Sequence, residues 1–291
     1  MGTSFLLGGE LKVSRIGYGA MRLAAAPEPG AEPGPAHIWR APVDREAARA
    51  VLRTAVESGV NLIDTADAYA LGENEELVAE ALHPYRDGVV IATKVGLARP
   101  APAEWVPVGN PAYLRQQAEL SLRRLKLDRI DLLQLHRIDP SVPLADQIGA
   151  LRQLREEGKV RHIGLSEVTV QQLREAEAIT PIASVQNMYN LAERGHEAVV
   201  DYAAEHDIAF IPFFPVAGGG HAGSDSPVAA VAKEIGATPA QTALAWLLRR
   251  SPTILPIPGT TSLAHLAENL AAGEVRLSDE QFERLSALAS V

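Results

Sequence analysis

The 291-residue chain alternates repeatedly between stretches with helical spacing of apolar side chains and short apolar runs bounded by turn residues. The first complete unit is the clearest. Over 44–58, apolar residues fall at Ala48, Val51, Leu52, Ala55 and Val56, one face of a helix, with Asp44 placed as N-cap and Gly59 just past the end. The run Val60-Asn61-Leu62-Ile63-Asp64 follows and reads as a buried strand. Similar runs lie at 89–94, 130–136, 162–166, 183–187, 208–213 and 253–258, each after a helical stretch, and 14–19 ahead of them makes eight. The intervening helices include 114–125, 144–157 ending at Gly158, and 240–249 opened by Thr238 and Pro239. Strands buried on both faces and alternating with helices form a parallel sheet. Eight such units, with no break in composition between the halves, predict an α/β fold in which 1–291 form a single (β/α)8 TIM barrel rather than an open doubly wound sheet.

Three segments stand outside the repeat. Residues 5–13, with Gly8-Gly9 at their middle, read as a β-hairpin placed to plug the bottom of the barrel. Residues 24–42, rich in Pro, Gly, Ala and Glu, read as a long rim loop. An extra C-terminal helix begins at Ser278, where Ser-Asp-Glu-Gln has capping-box spacing and Phe282, Leu285 and Leu288 form a stripe. The chain ends soon after it, and no long C-terminal lid is expected.

Composition limits the function classes. A formal net charge of -9 argues against nucleic acid or an anionic membrane as partner, although a local basic pocket for an anionic cofactor is compatible with it. There is no cysteine, so disulfides, thiolate zinc sites and cysteine nucleophiles are excluded. The N-terminus lacks a cationic region before a long apolar run, and the expectation is a cytoplasmic monomer acting on a small molecule. His196 and His206 share a helical stretch, but no ligand triad accompanies them, and no metal site is expected.

In a barrel of this kind the chemistry sits at the C-terminal ends of the strands. Asp64 ends the second apolar run, Lys94 the third, His136 the fourth, Ser166 the fifth and Gln186 the sixth, Thr260 follows the eighth, and Tyr69 lies on the loop above Asp64. Each alone has a plain reading: Asp64 as a helix cap, Lys94 reaching for solvent, His136 and Tyr69 as packing. Their convergence on one rim changes the reading, because a charge closing an apolar strand has little solvent and needs a partner. A Tyr hydroxyl is a poor acid at neutral pH until a nearby ammonium favours the phenolate, which Lys94 could supply while Asp64 holds the lysine. His136 could donate to a carbonyl oxygen and Tyr69 deliver the proton, a set suited to carbonyl reduction.

These residues lie in Ile-Asp-Thr-Ala-Asp-Ala-Tyr (63–69), Ile-Ala-Thr-Lys-Val-Gly (91–96) and Leu-Gln-Leu-His-Arg (133–137), motifs that closely resemble those of the aldo-keto reductase superfamily over nearly the whole chain. The resemblance implies NADP(H) bound in extended form without a Rossmann domain, a carbonyl substrate, and a catalytic tetrad of Asp64, Tyr69, Lys94 and His136. It further implies cofactor contacts from Gly19, Ala20 and Met21 after the first strand. Ser166 and Gln186 would bind the nicotinamide carboxamide, Phe213 would lie under its ring, and Glu167, Gly259, Thr260, Thr261, His265, Glu268 and Asn269 would be further cofactor contacts. The free amides of the helix after the eighth strand suit phosphate, with capping by Ser262 as the alternative reading. Gly218-Gly219-Gly220 would form a loop over the cofactor.

Some positions depart from the pattern. Glu167 stands where many members have Asn, and Gly259 and His265 where many have Lys and Arg, so NADPH is the implied cofactor with NADH as the alternative. Ile-Pro-Phe-Phe-Pro (211–215), Ala-Leu-His-Pro-Tyr (81–85) and the run 258–266 are most similar to the bacterial branch that includes pyridoxal reductases, which implies pyridoxal or another aromatic aldehyde as substrate. Two other readings stay open: Lys94 as the Schiff-base nucleophile of an aldolase, and a silent nucleotide-binding regulatory barrel. Trp39 in the loop 24–42 and Trp105 in the loop 96–111 either contact substrate or pack their own loops.

Overall fold

The structure, a computed structural model, describes residues 3–25, 38–216 and 226–290. It opens with an antiparallel hairpin, β1 (Ser4–Leu7) and β2 (Leu11–Ser14), followed by β3 (Tyr18–Gly19), α1 (Arg45–Glu57), β4 (Leu62–Asp64), α2 (Glu73–Leu82) and β5 (Val90–Val95). A two-stranded ribbon, β6 (Leu97–Ala98) and β7 (Val106–Pro107), precedes α3 (Pro111–Leu125), β8 (Ile130–Leu135), α4 (Leu144–Glu156), β9 (Val160–Ser166) and α5 (Val170–Glu177). Then come β10 (Ser184–Gln186), α6 (Glu197–Glu205), β11 (Ala209–Phe210), α7 (Pro227–Ile235), α8 (Pro239–Arg250), α9 (Leu263–Ala271) and α10 (Asp279–Ser286). Seven strands form one parallel sheet in the order β3-β4-β5-β8-β9-β10-β11, so each βα unit lies beside the next, as in a (β/α)8 barrel.

The eighth run corrects the sequence expectation. Residues 253–258 occupy the eighth position without forming a regular strand, since only Phe210 and Ile254 make a bridge. Pro256 and Pro258 carry no N–H and cannot sustain a ladder. Closure rests on single bonds instead: the Phe210 amide donates to Thr253 O (2.9 Å), Leu255 to Phe210 O (2.8 Å) and, on the far side, Gly17 to Pro256 O (2.9 Å). The first run is also shorter than its apolar pattern, because Ser14 ends the hairpin and donates its amide to Asn61 Oδ1 (2.7 Å). In 208–213 only Ala209–Phe210 is regular strand, Pro212 interrupting the rest.

The hairpin turns at Gly8 and Gly9, with φ of 61° and 76° in the left-handed region that glycine adopts freely. It carries Leu7 and Val13 into the barrel, where both are fully buried against Leu62, Val90, Leu132 and Leu255. The plug at the bottom is therefore present. Helix starts follow their caps: the Asp44 side chain accepts from the Ala47 amide (2.9 Å), and Thr238 with Gln241 and Ser278 with Gln281 form capping boxes on α8 and α10. On α10, Phe282 stacks on Trp246, which stacks in turn on Tyr189.

The two ends of the loop 24–42 are pinched together, Ala25 donating to Arg40 O (2.7 Å) and Arg40 to Ala25 O (3.0 Å). The rest of that loop, 26–37, and the glycines at 218–220 lie outside the described residues. If the plug supports the barrel floor, Leu7→Ala lowers unfolding free energy by about 3 kcal/mol in urea titration. A loss under about 1 kcal/mol would show that the floor holds without it.

Candidate active site

Asp64 closes β4 and Lys94 lies one residue before the end of β5, so both point upward from the barrel interior. The Lys94 side chain is fully buried, and its ammonium donates to Asp64 Oδ1 (2.6 Å), to Thr65 O (2.9 Å) and to Tyr69 Oη (3.4 Å). Three acceptors for three N–H bonds satisfy a charge that burial would otherwise make costly. Tyr69 begins a short helical turn in which Ala70 and Leu71 adopt φ of 49° and 54°, a backbone that non-glycine residues rarely take. Its ring meets His136 edge-on, with centroids 5.8 Å apart, and His136 follows directly on β8.

The other Asp64 oxygen accepts from Gln186 Nε2 (2.9 Å) and from Gln134 Nε2 (3.2 Å). Gln134 was missed from sequence, although the period-two pattern of β8 puts it on the same inward face as His136. Gly164 makes room for it: a Cβ there would stand 2.9 Å from Gln134 Cγ and 2.2 Å from Ser184 Oγ.

Burial alone would favour neutral Lys94, but the negative charge of Asp64 and the Tyr69 oxygen outweigh it and raise the pKa. Burial likewise raises Tyr69, and Lys94 offsets this only in part, so the phenol holds its proton. His136 is pushed well below the usual 6.5, first by burial and then by Lys94, Arg137 and Arg99, which leaves a neutral imidazole. No partner among the described residues reaches its buried Nδ1.

A cavity of about 630 Å³ opens over this cluster, lined by Tyr69, Trp105, His136, Ser166, Gln186 and Phe213 among others. Trp105 stands on the β6–β7 ribbon, edge-on to both Tyr69 (6.4 Å) and His136 (6.3 Å). Arg99 lies over its ring at 3.6 Å and over that of Trp39 at 5.5 Å, and donates to Ile38 O (3.2 Å) and Ala68 O (3.3 Å). One guanidinium thus ties the ribbon, the end of the loop 24–42 and the Tyr69 segment together. Trp105 is a cavity wall, whereas Trp39 packs on Arg99.

A cleft continues from Asp64 and Tyr69 along Phe213 to Gly259, and Gly19, Met21 and Gln186 also line it. The remaining residues singled out from sequence sit elsewhere. Ala20 is buried, its carbonyl accepting from Asn74 Nδ2 (3.0 Å). Glu167 takes a left-handed backbone (φ 55°) and its carboxylate accepts from the Met188 amide (2.6 Å), so the side chain lines neither cavity nor cleft. Thr260, Thr261, His265, Glu268 and Asn269 gather on and before α9, past the end of the cleft. There Thr260 Oγ1 accepts from the Ser262 amide (3.0 Å) and Ser262 Oγ from the His265 amide (3.4 Å). Thr261 and His265 are exposed, Asn269 is buried, and Glu268 accepts from the Thr238 hydroxyl.

At Gly259 a Cβ would stand 2.5 Å from Gly19 O, so no side chain fits without displacing backbone. The nearest side chain to that point is Arg22, exposed on the cleft and not anticipated from sequence, where it was only the residue after Met21. His196 and His206 flank α6 rather than sharing it. His196 pairs with Asn187 (3.1 Å) and His206 stacks on Tyr202, and among the described residues no group of three metal-ligating side chains forms.

The model of the aldo/keto reductase family matches residues 15–290. The chain belongs to that family. It is 43% identical over 287 residues to pyridoxine 4-dehydrogenase of Escherichia coli, covering 97% of this chain and 96% of the relative. It is 46% identical over 277 residues to an uncharacterized oxidoreductase of Schizosaccharomyces pombe, covering 95% and 87%. Among solved structures, an aldo-keto reductase from Klebsiella pneumoniae in complex with NADPH superposes with a TM-score of 0.82 at 29% identity, covering 99% of this chain and 95% of that one.

Removing the ammonium would leave the Asp64 carboxylate buried beside two amides only. Lys94→Met is expected to cost about 3 kcal/mol or more of folding stability by chemical denaturation. A cost below about 1 kcal/mol would mean that the pair contributes little to the fold.

Proposed function

We propose that this aldo/keto reductase reduces the aldehyde of small aromatic substrates, pyridoxal among them, to the alcohol with NADPH. The observation that carries the reading is one ammonium, on Lys94, bonded to both Asp64 (2.6 Å) and Tyr69 (3.4 Å) beneath an apolar cavity.

The residues present fit a nicotinamide dinucleotide. Phe213 offers an aromatic face where cavity meets cleft, Ser166 a hydroxyl, and Gln186 an Oε1 that no described donor reaches, as its Nε2 is held by Asp64. Arg22 along the cleft and the amides near the start of α9 suit phosphate. A reduced nicotinamide bound there supplies the hydride. The chain does the rest: neutral His136 and protonated Tyr69 hold the carbonyl oxygen, Tyr69 Oη gives its proton to the developing alkoxide, and Lys94 stabilises the phenolate left behind. Trp105 and Phe213 exclude water and suit a planar ring.

NADPH is favoured over NADH by likeness to the Klebsiella reductase, and an aromatic aldehyde by likeness to pyridoxine 4-dehydrogenase. A Schiff-base role for Lys94 is disfavoured, since Asp64 keeps the amine charged. The same reading takes the protein as a cytoplasmic monomer, in keeping with a chain that has no cysteine. Among the described residues no helix is long and apolar enough to cross a membrane.

Tyr69→Phe should lower kcat for NADPH-dependent aldehyde reduction by about 100-fold or more while NADPH still quenches tryptophan fluorescence. Turnover close to wild type would remove Tyr69 as proton donor. Because His136 titrates well below 6.5, lowering the pH from about 8 to about 6 does not charge it, and the kcat/KM profile should show no inflection near 6.5. A fall centred there would contradict the neutral imidazole.

A further inference from the structure

Arg137 follows His136 and forms part of the cavity wall, between the ring of Phe213 (5.8 Å from its centre) and the hydroxyl of Ser166. Among the described residues only its Nη1 finds hydrogen-bond acceptors, donating to His136 O (2.6 Å) and Ser166 Oγ (2.9 Å). Nη2 and Nε have no partner among the described residues, and no carboxylate there lies within ion-pair distance. The charge of Glu167 favours the guanidinium from a distance, but its Oε1 accepts from the Met188 amide and it makes no ion pair with Arg137. The remaining wall is largely apolar, with Met21, Ile38, Leu97 and Trp105. A half-buried guanidinium in such surroundings has lost much of its hydration and lacks the counter-charge that desolvated cations usually acquire from the protein. Its planar fork matches an oxyanion.

We propose that Arg137 is a specificity-determining residue that binds an anionic oxygen of the substrate, so that the preferred substrates are small aldehydes carrying a carboxylate or an ionised phenol. This rests on the carbonyl-reductase reading above and narrows it. Arg137 lines the same cavity of about 630 Å³ as Tyr69 and His136, the groups proposed to hold the carbonyl oxygen, so an anion bound by it and the reacting aldehyde fit on one small molecule.

The test pairs each of the three carboxybenzaldehyde isomers with the nitrobenzaldehyde of the same substitution, a neutral group of nearly the same shape, at saturating NADPH. In Arg137→Met the ratio of kcat/KM for carboxylate over nitro falls by about tenfold or more for at least one isomer, chiefly through KM, and Arg137→Lys restores part of it. A ratio unchanged by the substitution in all three isomers would overturn the proposal. So would an equal loss on both members of each pair together with weaker NADPH quenching, which assigns Arg137 to cofactor binding through Ser166. As a check independent of any variant, benzoate inhibits wild-type nitrobenzaldehyde reduction about tenfold more strongly than nitrobenzene does. Equal inhibition contradicts the proposal. Reduction of nitrobenzaldehydes without carboxylate preference sinks this inference alone, whereas failure of the wild-type protein to oxidise NADPH with any aldehyde sinks the reading beneath it as well.

Discussion

A lysine ammonium with no solvent exposure exists in a folded protein only if its surroundings replace water, and much of this barrel's upper interior serves that requirement. Lys94 is met by Asp64, Thr65 and Tyr69, and Asp64 is met in turn by Gln134 and Gln186. Gly164 leaves space for Gln134, and Thr93, beside Lys94, donates to Glu75 Oε1 (2.5 Å), itself paired with Arg124 (2.6 Å). The network anchors the ends of β4, β5, β8 and β10 to one ion pair. Its chemical consequence is that Tyr69 Oη faces a fixed positive charge while keeping its proton.

The barrel interior is divided along its axis. Below, Leu7 and Val13 of the hairpin pack on Leu62, Val90 and Leu132 as an ordinary apolar core. Above, the side chains are polar and converge on Asp64. The lower half fixes the strands in register, and the upper half holds its charges at hydrogen-bonding distance before any substrate is present, the preorganisation on which electrostatic catalysis depends. The cavity above is then closed laterally by Trp105, which Arg99 clamps from behind.

Much of this was legible in the sequence, for reasons that particular residues make plain. Asp64, Lys94, His136, Ser166 and Gln186 each end an apolar run, and in a parallel barrel that position alone brings them to one rim. Asp44, Thr238 and Ser278 announced their helices by cap chemistry that operates within four residues. What spacing could not convey was side-chain direction. Glu167 follows Ser166 at the rim, yet a left-handed backbone turns it to Met188 and away from the cavity. Gln134 and Arg137 stand beside His136 in the sequence with nothing local to mark them, because their partners lie seventy and twenty-nine positions away in the chain. The eighth run was read as a strand from its hydrophobicity, which takes no account of the N–H groups missing at Pro256 and Pro258.

In the proposed reaction hydride passes from the nicotinamide to a carbonyl carbon while the chain handles only the proton. Isotope tracing of the alcohol product tests it most directly. With NADPH deuterated at C4, each diastereomer tried in turn, and an aromatic aldehyde in ordinary water, mass spectrometry should find one deuterium on the carbinol carbon from one diastereomer. Unlabelled NADPH in heavy water should leave that carbon free of deuterium. Deuterium entering carbon from the solvent, or from neither diastereomer, would contradict the account.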